Sequence, residues 1–198
     1  RRIAWGITAL QFDNMDLYAE RIDLASGRYQ YQDKVLVATR EVEWIAVRGE
    51  RPVEFVQLVT VHGPIVAADG GSHLALKWAA GYQDDYSFPL MDLNRANNWN
   101  EFRQALSHFS GPNINAIYAD TDGNIGWQVV GRLPVRRGFT GDVPLDGASG
   151  GQEWEGYIPF DQLPSYFNPK GGIVASANQN SFPEKTPYEV SGHFASAH

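Results

Sequence analysis

Cysteine is absent from the 198 residues, which excludes disulfides, thiolate metal sites and a cysteine nucleophile. The compartment stays open, because an exported protein can do without disulfides. No apolar run approaches the ~20 residues that a bilayer-spanning helix needs. Basic charge is short: 16 Lys and Arg stand against 23 Asp and Glu, a formal charge of −7. That balance argues against nucleic acid and anionic membranes as partners. Neither GxxxxGK[ST] nor GxGxxG occurs, so no phosphate-cradling loop is legible. Ser-His-Asp chemistry needs a serine presented on an elbow, and none is read here. The histidines, His62, His73, His108, His193 and His198, form no HxxxH or HxH pair, which speaks against zinc.

Aromatic residues are plentiful at 13%, and many stand beside Gly, Pro, Asn or Asp, which favours strands and turns. With 43% hydrophobic content the chain can bury one sizeable core. No linker, repeat or low-complexity segment divides it, so residues 1–198 read as a single domain. Ile3–Leu10, Leu17–Asp23, Val35–Val47, Val53–Val66 and Leu74–Trp78 read as strands, the first apolar on both faces and therefore buried. Arg48-Gly49-Glu50-Arg51-Pro52 is a turn.

One clear helix spans Asn98–Phe109. Asn98 can cap it, and Glu101 sits three residues on, in the capping-box position. Trp99, Phe102, Leu106 and Phe109 fall on one face as core, and Gly111-Pro112 ends the segment. Asp122-Gly123, between Ile114–Ala119 and Ile125–Val130, marks a hairpin. Arg136–Gln152, rich in Gly and Asp, reads as a long surface loop. The expected class is α+β, mostly antiparallel β with one helix.

Three patterns carry chemistry. In Gly171–Asn180 a short apolar run delivers Asn178 and Asn180 at its end. On a strand these two side chains would project together as amide donors for a developing oxyanion. The same pattern fits a strand ending in a turn. Asp13, Asn14 and Asp16 make a dense loop of oxygen ligands, suited to calcium or to a solvated turn. His62, at a strand end in Thr60-Val61-His62-Gly63-Pro64, reads as a ring bonded to nearby backbone. The six tryptophans offer a sugar-binding platform or, given their scatter over several elements, core packing.

Several phrases together resemble the penicillin acylase family of N-terminal nucleophile (Ntn) hydrolases. They are Ile3-Ala4-Trp5-Gly6-Ile7-Thr8-Ala9, Asp13–Glu20, Thr60–Ile65, Ala75-Leu76-Lys77-Trp78 and Asn94–Trp99. Tyr118-Ala119-Asp120, Gly123–Gly126, Trp154–Pro159, Leu163-Pro164, Asn168-Pro169 and Ala177–Asn180 follow in order. The resemblance implies an αββα sandwich, here partial, and hydrolysis of the amide bond to an acyl group. The family's nucleophile is a serine whose own α-amine, freed by autoproteolysis, serves as base. By motif match Ala9 gives a backbone N–H and Asn180 a side-chain amide to the oxyanion hole, with Asn178 as support. Ile7 and Ile114 match acyl-pocket positions. Asp13, Met15 (through its carbonyl) and Asp16 match a structural calcium loop, with a last ligand near Glu189 or Ser191.

The departures from the family set further expectations. Arg1 is not the nucleophilic serine, and both ends read as cut from a longer polypeptide, an internal fragment of the β-chain. The α-chain and the N-terminal part of the β-chain are then the expected partners, with a small acylated amine as substrate and domain-swapped oligomers as a hazard. The isolated stretch is expected to be inactive. The parent would be periplasmic or secreted and would act on β-lactam side chains or acyl-homoserine lactones. The alternative is a non-catalytic aromatic binding module for glycans or peptides.

Overall fold

In the computed structural model, which describes residues 2–81 and 87–195, the regular structure is mostly antiparallel strands with one main helix. Along the chain these are β1 (Ile3–Ala9), β2 (Met15–Glu20), β3 (Ile22–Asp23), β4 (Arg28–Tyr31), β5 (Lys34–Val37), β6 (Thr39–Ile45), β7 (Val53–Thr60), β8 (Gly63–Asp69) and β9 (Ser72–Trp78). Helices α1 (Leu90–Arg95) and α2 (Trp99–Ser107) come next, then β10 (Ile114–Asp120), β11 (Ile125–Val130), β12 (Leu145–Asp146) and β13 (Ser165–Phe167).

The residues fall into two compact units, each assembled from separated stretches. The first comprises Arg1–Asn14, Ala79–Thr140 and Trp154–His198; the second Met15–Trp78 and Gly141–Glu153. Because each unit draws on distant parts of the chain, no linker marks the division in the sequence.

In the first unit a four-stranded sheet runs β1-β10-β11-β13, every neighbour antiparallel. One face buries Ile114, Ala116, Tyr118 and Val130 against Leu93, Phe102, Leu106 and Phe109 from the helical segments. The other face packs Trp127 and Val129 with Leu10, Leu133, Ile158 and Phe182. Helix α2 starts as its sequence dictates: the Glu101 N–H donates to Asn98 Oδ1 at 3.0 Å. The Glu101 carboxylate in turn accepts the Asn97 N–H at 2.8 Å. The Asp-Gly hairpin joins β10 to β11, with Gly123 at φ +84°. Helix α1, six residues with only Leu93 buried, is too short to show a period. β1 lies at the sheet edge with Ile7 and Ala9 exposed, which corrects the expectation of a strand buried on both faces.

The second unit holds a six-stranded sheet, β12-β2-β9-β8-β7-β6, and a three-stranded sheet, β3-β4-β5. Both long predicted strands break. Val35–Val47 divides at Ala38, whose N–H leaves the run to bond the Gly27 carbonyl at 2.8 Å. Val53–Val66 folds back at Val61-His62, where Gly63 takes φ +123° and starts β8. An unbroken apolar pattern conceals such turns. Ile22–Asp23 leaves β2 to pair with β4. Arg136–Gln152 is less a surface loop than expected: Arg136, Phe139, Leu145 and Ala148 are buried, and Leu145 pairs in parallel with Tyr18.

Candidate active site

The ladder between β1 and β10 decides where Ala9 points. Thr121 N–H donates to the Arg2 carbonyl at 2.9 Å, and Leu10 N–H to the Asn113 carbonyl at 3.1 Å. Directly opposed residues of an antiparallel pair alternate between exchanging hydrogen bonds and facing away. With Arg2 and Leu10 both in bonded pairs, the even positions of β1 bond β10. Ile3, Trp5, Ile7 and Ala9 therefore turn their N–H and C=O groups to the open edge of the sheet. Ile114 sits opposite Ala9, and Ala116 opposite Ile7, so these side chains share one face. Ile114 is buried and Ile7 exposed.

The segment Gly171–Asn180 is a loop and not a strand, so side-chain alternation does not place its asparagines. Side-chain hydrogen bonds hold it instead. Thr8 Oγ1 and Ser176 Oγ are 2.6 Å apart. Asn178 takes φ +65°, a left-handed conformation that Asn tolerates. There its Nδ2 donates to the Ala9 carbonyl at 2.7 Å. Asn180 Oδ1 accepts the Phe182 N–H at 3.0 Å, which orients the amide and leaves Nδ2 as its donor end. Asn180 borders a cavity of about 400 Å³ walled by Trp127, Tyr166, Ile173, Val174 and Phe182. The structure thus joins Asn178 to Ala9, while Ile7 and Ile114 lie on the sheet face beside Ala9.

Asn115, which the sequence did not single out, is wholly buried at the centre of this region. Its Oδ1 accepts Trp127 Nε1–H at 3.0 Å and the Ser181 hydroxyl at 2.8 Å. An outward N–H and a fixed amide can stabilise charge developing on a carbonyl oxygen.

Gly147-Ala148-Ser149-Gly150-Gly151 spells GxSxG, against the expectation of no serine elbow. Its setting is wrong for one. The segment follows the two-residue β12, no helix succeeds it, and Ser149 Oγ accepts the Gly151 N–H at 3.3 Å in a local turn.

The calcium-loop residues divide between the units. In the first, the Asp13 N–H donates to the Ser191 carbonyl at 2.8 Å, and the Asp13 carbonyl accepts from Arg136 Nη1 at 3.0 Å. In the second, Met15 pairs with Trp78, and Asp16, buried, pairs with Lys77. Glu189 and Ser191 belong to the first unit. Two carboxylates and one carbonyl fall short of the six to eight oxygens calcium takes. Among the described residues no group of three or more His, Asp or Glu is placed to hold a metal.

His62 is bonded to carboxylates, not to the backbone as expected. Its Nδ1 is 2.8 Å from Glu20 Oε1 and its Nε2 2.7 Å from Glu153 Oε1. Thr60 Oγ1 donates to Glu20 at 2.7 Å and Lys77 Nζ to Glu153 at 2.8 Å. The Tyr18 ring stacks on the imidazole at 3.9 Å. Burial pulls the His62 pKa down, but its bonds to Glu153 and Glu20 outweigh that and raise it. Burial likewise pushes Glu153 up, and the bonds from His62 and Lys77 bring it down to about 2. A buried ring with both nitrogens occupied serves as a structural tie, since neither nitrogen is open to a substrate. No pairwise spacing in the sequence signals it. His198 lies outside the described residues.

The tryptophans form no single platform. Trp127 is buried, Trp5, Trp99 and Trp154 are half-buried, and the exposed Trp44 and Trp78 sit on strands separated by two others.

The penicillin amidase family model matches residues 1–198. Penicillin G acylase of Escherichia coli is 32% identical over 198 residues, covering 98% of this chain and 23% of that protein. Acyl-homoserine lactone acylase QuiP of Pseudomonas fluorescens is 32% identical over 191 residues, covering 90% of this chain and 23% of the relative. Among solved structures, a thermostable penicillin G acylase from Alcaligenes faecalis superposes with a TM-score of 0.82 at 32% identity, covering 95% of this chain and 35% of that one. The chain spans about a quarter of the curated relatives' length.

Proposed function

Since this chain belongs to the penicillin amidase family, whose members include amide-hydrolysing acylases, we propose that it supplies the oxyanion hole of such an acylase. The observation that carries the proposal is the edge-facing main chain of Ala9, held through its carbonyl by Asn178. Attack on the acyl carbonyl moves negative charge onto its oxygen. The Ala9 N–H and the Asn180 amide receive that charge as preformed donors, each worth roughly 3 kcal/mol when well placed.

The nucleophile is a serine with a free α-amine, supplied by the additional sequence that full-length relatives carry. An α-amine with a pKa near ~8 takes the hydroxyl proton at neutral pH. Ile7 and Ile114 wall the acyl side. The substrate is an acylated amine of the β-lactam or acyl-homoserine lactone type, and the enzyme is periplasmic or secreted.

Asn180→Ala in a full-length acylase carrying this stretch tests the assignment. Turnover of a phenylacetyl or fatty-acyl anilide falls about 100-fold or more. Unchanged kcat overturns it.

A further inference from the structure

Buried polar side chains cost stability unless their hydrogen bonds are met, so a wholly buried Asn in an apolar sheet face needs an account. Asn115 stands on β10 with three parts of the candidate site around its amide. Trp127 reaches it from β11, at 3.0 Å. Ser181, the residue after Asn180, reaches it at 2.8 Å. Its own Nδ2 lies 3.5 Å from the Ala9 carbonyl, a long contact beside the 2.7 Å bond from Asn178. An indole N–H can only donate, so the Asn115 atom facing it is the oxygen, and the amide has one orientation. The Ser181 hydroxyl also lies 3.4 Å from the Gln179 carbonyl, but the 2.8 Å contact to Asn115 is the shorter.

We infer that Asn115 is the positioning residue of the oxyanion hole: through Ser181 it fixes where the Asn180 amide stands relative to the Ala9 N–H. This rests on the assignment of Ala9 and Asn180 made above. Asn115 touches no reacting atom. It ties the loop bearing one donor to the sheet bearing the other. A loop without regular structure, held by few side-chain bonds, needs such an anchor, because small displacements of a donor cost rate steeply.

The test is a double-mutant cycle in a full-length acylase containing this stretch, read as kcat and KM on an acyl anilide, with unfolding midpoints measured in parallel. Ser181→Ala removes the link and leaves Asn115 bonded to Trp127. It lowers kcat on the order of tenfold with KM little changed. Ser181→Thr, which keeps the hydroxyl, restores kcat. In an Asn180→Ala background Ser181→Ala costs nothing further, because it acts through the missing amide. Asn115→Ala follows the same pattern and lowers stability as well. Equal penalties in the two backgrounds, or unchanged kcat in Ser181→Ala, overturn the inference while the oxyanion assignment stands. Unchanged kcat in Asn180→Ala alone overturns both.

Discussion

His62 Nδ1 lies 2.8 Å from Glu20 Oε1, with both side chains wholly out of solvent. Glu153 takes the other ring nitrogen, so the ring carries both protons. Removing one member of a buried charge-paired set strands the others, at a cost of about 3–5 kcal/mol. His62→Gln is expected to lower stability by an amount in that range. The pH dependence follows from the direction of the shifts. The His62 pKa is raised, so its contribution is full below the ordinary value near 6.5 and is lost as pH climbs through the native value. The Glu153 pKa is lowered to about 2, so its contribution is full above the ordinary value of 4.5 and fades as pH falls toward 2. The stability gap between wild type and His62→Gln should peak between the two ordinary values and narrow in alkaline solution. Urea unfolding at a series of pH values measures it, and a pH-independent gap would refute the charged tie.

What could be read without coordinates was local. Asn98, Glu101 and the apolar stripe from Trp99 to Phe109 state a helix within one short window, and α2 forms there. Asp122-Gly123 states a hairpin in two letters, and β10 and β11 pair across it. Long-range partners were illegible. Glu20, His62 and Glu153 are separated by tens of residues, and only the folded sheet brings them together. The same holds for the candidate site. Asn178 and Asn180 stand out by their spacing after an apolar run and by family resemblance, yet their placement comes from bonds to Ala9 and Phe182 and not from strand alternation. Asn115 gave no signal, since its role lies in burial and partners on other elements.

Gly63 is irreplaceable on steric grounds. It takes φ +123°, and an added Cβ would stand 2.1 Å from the Leu76 carbonyl oxygen. That atom is main chain of β9 and cannot rotate aside. Gly63→Ala combines left-handed strain with a backbone clash and should cost roughly 2–4 kcal/mol. A denaturation midpoint matching that of wild type would refute this.

The Asn98 cap is a smaller and cleaner case. Its Oδ1 satisfies the Glu101 N–H at the start of α2. Asn98→Ala leaves that donor without its side-chain partner and should cost about 1 kcal/mol. Asn98→Ser, which keeps an oxygen in reach, should recover most of the loss. Equal destabilisation by both variants would place the effect elsewhere than the cap.

Asn178 allows backbone strain and hydrogen bonding to be separated. Its φ of +65° is costly for alanine and free for glycine, while its amide holds the Ala9 carbonyl at 2.7 Å. Asn178→Gly therefore removes the bond and keeps the loop conformation. Asn178→Ala removes the bond and strains the loop as well. If the amide serves to fix the Ala9 peptide, both variants lose kcat on an acyl anilide, on the order of tenfold, in a full-length acylase. Asn178→Ala should lose about 1 kcal/mol more stability than Asn178→Gly, the added cost being backbone strain. Full activity in Asn178→Gly would show that the loop's path alone matters and that the carbonyl needs no holding. Loss confined to Asn178→Ala would locate the effect in backbone strain.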